Sequence, residues 1–167
     1  MHDHCHTKNE TTSGCPRIFL VGNPNVGKSA IFGLVTGRYV TVSNYPGTTV
    51  EVTKGEAVIN KDKFQIIDTP GVNSLVPMSD DERVTRDILL NEQVGSVLQV
   101  MDSKNLRRSL LVTLQLTEMG LPTTLALNMY DEAGQRGITI DCEKLSKMLG
   151  LNVIPTIATQ RWNLDKL

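Results

Sequence analysis

The sequence predicts a doubly wound α/β domain: a mostly parallel six-stranded sheet with one antiparallel edge strand and helices on both faces. Three observations carry that prediction. Short apolar runs rich in Val, Ile and Leu alternate with helical segments along the chain. A Gly-rich turn, Gly22-Asn23-Pro24-Asn25-Val26-Gly27-Lys28-Ser29, directly follows the first of those runs. Finally, Val50-Glu51-Val52-Thr53 and Phe64-Gln65-Ile66-Ile67, linked by Asn60-Lys61-Asp62-Lys63, read as an antiparallel hairpin on an otherwise parallel sheet.

In chain order, the first strand is the apolar run Arg17-Ile18-Phe19-Leu20-Val21, and a helix over 28–36 begins at the lysine that closes the Gly-rich turn. The hairpin strands follow at 50–59 and 64–67. A helix at 82–91, a strand at 96–101, a helix at 105–119 and a strand at 123–127 continue the alternation. It closes with a helix at 141–149 and a strand at 152–155. Sites at the carboxyl ends of such strands converge on one rim, where open α/β sheets take their ligands. Leu164-Asp165-Lys166-Leu167 looks like the first turn of a further helix. The expected division is therefore a tail over 1–16 and a domain over 17–167 that is cut short at its last helix.

Composition narrows the field. A chain of 167 residues with 40% hydrophobic content fits one soluble domain with a full core, built mostly of Leu, Ile and Val because aromatics are scarce. A formal charge of −1 without a basic block argues against nucleic acid as a main partner. No run of eighteen apolar residues and no signal peptide is visible, so a cytoplasmic location is expected. Three scattered cysteines suit a reducing compartment and do not suggest a disulfide framework.

The turn at 22–29 has the chemistry of a phosphate-binding loop. Successive backbone N–H groups converge on phosphate oxygens at the positive end of the following helix. Gly22 and Gly27 let the backbone approach the anion, Lys28 reaches the terminal phosphates and the Ser29 hydroxyl ligates Mg²⁺. The strand at 64–67 ends in Asp68-Thr69-Pro70-Gly71, which sets a carboxylate where it can hold Mg²⁺ and the Gly71 N–H where it can meet a γ-phosphate oxygen. Asn128-Met129-Tyr130-Asp131 follows the strand at 123–127. A carboxylate at Asp131 accepts two hydrogen bonds from guanine that adenine cannot supply. Asn128 is expected to hold the loop and touch the purine edge, and the Ala158 N–H, in Ile157-Ala158-Thr159, to meet the guanine carbonyl. Between the two phosphate motifs, Asn44-Tyr45-Pro46-Gly47-Thr48-Thr49-Val50-Glu51 reads as a mobile lid whose threonine turns to Mg²⁺.

Gly-Asn-Pro-Asn-x-Gly-Lys-Ser, Pro-Gly-Thr-Thr-Val-Glu, Asp-Thr-Pro-Gly and Asn-Met-x-Asp, in this order, resemble the G domain of the bacterial ferrous-iron transporter B (FeoB) family, a Ras-like P-loop GTPase. The likeness runs from about Arg17 to the C-terminus, through Asp81-Glu82-Arg83-Val84-Thr85-Arg86-Asp87 and Leu121 to Met129, where most relatives carry lysine. The resemblance implies a GTP-hydrolysing domain that regulates an Fe²⁺ transporter from the cytoplasmic side of the bacterial inner membrane. GTP or GDP, Mg²⁺ and K⁺ are its implied cofactors, and the helical and transmembrane remainder of the transporter its partner, with self-association through that transporter. Thr49 becomes the magnesium threonine, ahead of Thr48, and Asn25 the asparagine beside which K⁺ stabilises charge on the transferred phosphoryl group. The implied catalytic set is Asn25, Lys28, Thr49 and Gly71; Ser29, Thr49 and Asp68 hold Mg²⁺. The nucleotide-binding set is Gly22, Asn23, Pro24, Asn25, Val26, Gly27, Lys28, Ser29, Ala30, Gly47, Thr48, Thr49, Asp68, Gly71, Asn128, Met129, Asp131, Ile157, Ala158 and Thr159. After Gly71 stands Val72, whose apolar side chain cannot orient water, so hydrolysis is expected to be slow. A glycine usual after the last motif is replaced here by Arg161-Trp162-Asn163, and Asn tolerates the left-handed backbone that glycine would take.

The first sixteen residues pose a separate question. His2, His4, Cys5 and His6, with Cys15 further on, are metal-ligand types in a short space, set against the simpler reading of a flexible tail. Two rival functions remain open on sequence alone: a ribosome-assembly or tRNA-modifying GTPase, and a metal-sensing adaptor that keeps nucleotide only as a structural ligand.

Overall fold

The computed structural model describes residues 15–37 and 40–167. It holds a seven-stranded sheet in the order β2-β3-β4-β1-β5-β6-β7. The strands are β1 Arg17–Gly22, β2 Val40–Asn44, β3 Glu51–Ile59, β4 Asp62–Asp68, β5 Ser96–Asp102, β6 Thr123–Asn128 and β7 Asn152–Pro155. The helices are α1 Lys28–Val35, α2 Asp80–Asn91, α3 Leu106–Glu118, α4 Tyr130–Gln135 and α5 Cys142–Leu149. Two elements go beyond the sequence expectation, β2 and α4. The expected six strands become seven, and the antiparallel strand is not at the edge. β3 runs against both β4 and β2, so β2 forms the outer edge, parallel in direction to the rest. All five β2 residues are exposed, so the strand has no buried face to write an alternating pattern into Val-Thr-Val-Ser-Asn.

The β3–β4 hairpin turns on Asn60 and Lys61 alone, whose φ angles of 52° and 76° suit a tight two-residue turn matched to the strand twist. β1, β4, β5, β6 and β7 lie parallel in the middle and far half of the sheet. Buried over most of their length, β1, β5 and β6 read as largely apolar runs. Phe19, Ile67 and Val97 pack one face against Val84 and Ile88 of α2 and Val112 and Leu116 of α3, and Leu125 and Leu127 extend it to α5. Leu20, Ile66, Leu98 and Val100 pack the other face against Ile31 and Phe32 of α1. On that side Ile18, Val35, Ile66, Leu98, Leu164 and Leu167 line an apolar groove of about 380 Å³. Leu164–Lys166 forms a 3-10 turn where a first helical turn was expected.

Helix ends follow local chemistry. Ser79 caps α2 by accepting from the Glu82 N–H, and Asp141 caps α5 by accepting from the Lys144 N–H at 2.9 Å. Gly150, with φ 68°, closes α5 in the left-handed conformation. Among the described residues no helix is long and apolar enough to cross a membrane.

Candidate nucleotide-binding site

The carboxyl ends of β1, β4, β5 and β6 deliver four loops to one rim. The loop after β1 turns through Asn25 at φ 64° and Gly27 at φ 87°. Gly27 is required twice over: a Cβ there would lie 2.3 Å from the Asn128 Nδ2, in a backbone conformation that L side chains avoid. Gly22 is required by closeness, since its Cβ would meet the Val100 carbonyl oxygen at 2.4 Å. Asn23, Pro24, Asn25, Gly27, Lys28, Ser29, Gly71 and Asp81 line a cleft of about 360 Å³ at this loop.

The Lys28 ammonium is buried and donates to the Asp68 carboxylate and the Thr69 carbonyl. Ser29 Oγ donates to the other Asp68 oxygen at 2.9 Å. Lysine, hydroxyl and carboxylate thus meet at one point, where an ammonium for phosphate and hard oxygen donors for a divalent cation are needed. The residues fit Mg²⁺ in kind. Asn25, exposed on the cleft rim, offers a carboxamide oxygen of the type that suits K⁺.

The segment after Gly71 is tied down from three sides. The Val72 N–H donates to the Gly22 carbonyl at 2.9 Å, and Asn23 Nδ2 donates to the Val72 carbonyl at 3.0 Å. Ser109 of α3 donates to Asn23 Oδ1 at 2.7 Å. Glu82 accepts from the Asn73 and Met78 N–H groups at 3.2 and 2.8 Å, and Gln115 accepts from the Leu75 N–H at 2.7 Å. The Met78 N–H above all, with Asn73, Ser74 and Ser79 behind it, holds the Glu82 carboxyl below the usual glutamate range against the opposing effect of its burial. Val72 buries its side chain in the core, so nothing at this position reaches a water.

At the base end, Asn128 joins three loops. Its Nδ2 donates to the Val26 carbonyl at 2.9 Å and its Oδ1 accepts from the Ala158 N–H at 3.0 Å. Met129 follows at φ 58°, and Asp131, half-buried, accepts only a long contact of 3.5 Å from Gln160 among its described partners.

Residues 16–167 match the profile of the family described as Ferrous iron transport protein B. This chain belongs to the FeoB family. The Fe(2+) transport protein A/Fe(2+) transporter FeoB fusion protein of Porphyromonas gingivalis is 45% identical over 152 residues, which cover 90% of this chain and 18% of that protein. A GDP-bound mutant of S. thermophilus NFeoB is 44% identical at a TM-score of 0.85, covering 90% of this chain and 59% of that one. The cytosolic domain of L. pneumophila FeoB is 40% identical at a TM-score of 0.86, covering 90% of this chain and 64% of that one. The chain thus spans under a fifth of the length of the fusion protein, and it matches the N-terminal G domain of FeoB.

Within this FeoB domain the loop at 22–29, Asp68 and Gly71 come together as the motifs implied. The lid does not join them. Gly47 turns at φ 77°, Thr48 spends its hydroxyl on the Tyr45 carbonyl and the Val50 N–H, and Thr49 stays exposed outside the residues lining the cleft. One expectation needs correction. The Ala158 N–H is not free for a guanine carbonyl, because Ala158 lies buried under Asn128 and donates to it; the next amide, Thr159, has no backbone acceptor among the described bonds. Asn128 holds the loop as expected, and its Nδ2 has a second N–H beyond the one given to the Val26 carbonyl. Asn163 does take the left-handed backbone, at φ 57°, and so does Arg161 at 55°. Asp81, on the first turn of α2, lines the phosphate cleft and was not singled out as a site residue; its signal was an acidic residue just past the Ser79 cap. His2, His4, Cys5 and His6 lie outside the described residues, while Cys15 donates its thiol to the Lys63 carbonyl at 2.9 Å.

Proposed function

We propose that this FeoB domain binds GTP, hydrolyses it slowly, and signals its nucleotide state through residues 44–51 and 72–79 to the membrane-embedded remainder of an Fe²⁺ transporter on the cytoplasmic side. The observation that carries the reading is the bonding of Asp68 to Lys28 and Ser29, which line one cleft, joined through Asn128 to the turn that presents Asp131. Lys28 and the loop amides grip the phosphates, and Asp131 selects guanine by accepting from its N1–H and exocyclic amine. The Thr159 N–H replaces that of Ala158 as the donor to the guanine carbonyl.

Ser29, Asp68 and, once the lid closes, Thr49 would hold Mg²⁺, which would supply positive charge beside the phosphates. Asn25 would help hold K⁺, which would supply the kind of positive charge that an arginine finger gives elsewhere. The Gly71 N–H meets the γ-phosphate, so loss of that phosphate loosens the segment behind it. With the Val72 side chain in the core, water must be oriented by backbone groups or by a partner, and turnover is slow.

Calorimetry with Mg²⁺ tests binding: GTP is taken up and ATP is not, and uptake of both overturns guanine selection. In single-turnover assays, Asn25→Ala keeps nucleotide affinity but lowers hydrolysis and abolishes its stimulation by K⁺. Undiminished K⁺ dependence in that variant would reject the cation role.

A further inference from the structure

Met129, in the base motif, has an ammonium standing beside it. It comes from a different loop. Lys104 Nζ donates to Met129 Sδ at 3.1 Å and to Glu132 Oε2 at 2.6 Å, and lies 3.6 Å from Asp102 Oδ1. Its side chain is only 14% exposed. The three partners come from the end of β5, the residue preceding α4, and the first turn of α4. Asp131 lies in sequence between two of them.

The geometry points to Lys104 as a positioning residue for guanine selection. The loop that carries it is fixed independently: the Ser103 N–H donates to the Asn128 carbonyl at 3.0 Å and the Lys104 N–H to Asp102 Oδ1 at 2.9 Å. From that fixed loop one ammonium holds both flanks of Asp131. The flanks need holding. Met129 adopts a left-handed φ of 58°, unusual for a long side chain, and α4 starts without a side-chain cap. Among the described residues Asp131 itself has no short hydrogen bond to fix its carboxylate. The Met129 methyl also lies 3.8 Å from where a Cβ on Gly27 would stand, so the clamp reaches across to the phosphate loop.

This inference rests on Asp131 reading guanine, and the test separates the two. GDP, inosine diphosphate (which lacks the exocyclic amine) and ADP are titrated against the wild type, Lys104→Ala, Lys104→Arg and Glu132→Gln. Wild-type preference for GDP over ADP upholds the guanine reading; equal binding ends that reading and this inference with it. Given that preference, Lys104→Ala should lose about fivefold in GDP affinity, the scale of a partly exposed ion pair, and lose less for inosine diphosphate. Lys104→Arg should restore the GDP preference, and Glu132→Gln should narrow it in the same sense. The loss should fall on KM for GTP and not on kcat. Equal losses for GDP and inosine diphosphate, or a GDP affinity within twofold of wild type, would overturn the assignment. If Lys104→Ala fails to fold, Glu132→Gln, altering a half-exposed residue, decides the question by the same ratio.

Discussion

Gly27 and Asn128 show how much of the site depends on single atoms. The 2.3 Å approach at Gly27 exists because Asn128 reaches across to the Val26 carbonyl. Gly27→Ala is expected to push Asn128 away and abolish nucleotide binding, since the added Cβ meets a fixed amide as well as a positive φ. Fluorescent-GDP titration is the check, and retained affinity would mean that the loop relaxes more freely than its contacts imply. Asn128→Ala strands a buried carbonyl and a buried N–H together. A cost of about 2–3 kcal/mol follows, at about 1–3 kcal/mol for each stranded group less what water recovers. Urea denaturation measures it, and a shift too small to resolve would refute the bridging role.

Among the elements, α2 and α3 act as the anchors of the segment behind Gly71. α3 reaches it through Ser109, Gln115 and Arg108, whose guanidinium donates to Asn73 Oδ1 at 2.8 Å. α2 reaches it through Glu82. Ser109→Ala leaves Asn23 Oδ1 buried without a donor, so it should cost about 1–2 kcal/mol and weaken the hold on Val72. Equal stability in thermal melts would disprove that. Glu82 carries a pH signature with a definite sign. Its folded pKa lies below the ordinary value, so its contribution is present above about pH 4.5 and fades as pH falls through the folded value. Wild type should therefore be more stable than Glu82→Gln by a constant margin from about pH 8 to about pH 5, narrowing toward about pH 3. A margin that widened in acid would contradict the hydrogen bonds to Met78 and Asn73.

Taken as a whole molecule, the sheet sorts rigid parts from responsive ones. β1 and β5 sit in the middle, buried from both faces, while the chain from 40 to 50 hangs on the outer edge with β2 fully exposed. Edge segments with few buried contacts open at low free energy, which suits a lid. Hydrogen exchange should therefore show protection rising over 44–51 and 72–79 with a non-hydrolysable GTP analogue relative to GDP, and little change in β1 or β5. Uniform protection across the sheet would argue against a switch confined to these loops.

The meeting of Lys28, Ser29 and Asp68 was legible in the sequence because local rules govern it. A buried strand, a Gly-rich turn and a helix at Lys28 follow one another within a dozen residues, and Asp68 ends its own apolar strand. The bounds of β1, β5 and β6 came within one residue because burial along most of a strand writes itself into composition. β2 was not legible, since an exposed edge strand owes its form to pairing with β3 rather than to any pattern of its own. Nor was the use of the Ala158 amide, the reach of Lys104 to Met129, or the place of Asp81 on the cleft. Each joins residues from separate loops. Which motifs exist was decided by the order of residues along the chain; which donor meets which acceptor was decided only when the parallel sheet brought the ends of β1, β4, β5 and β6 to one rim.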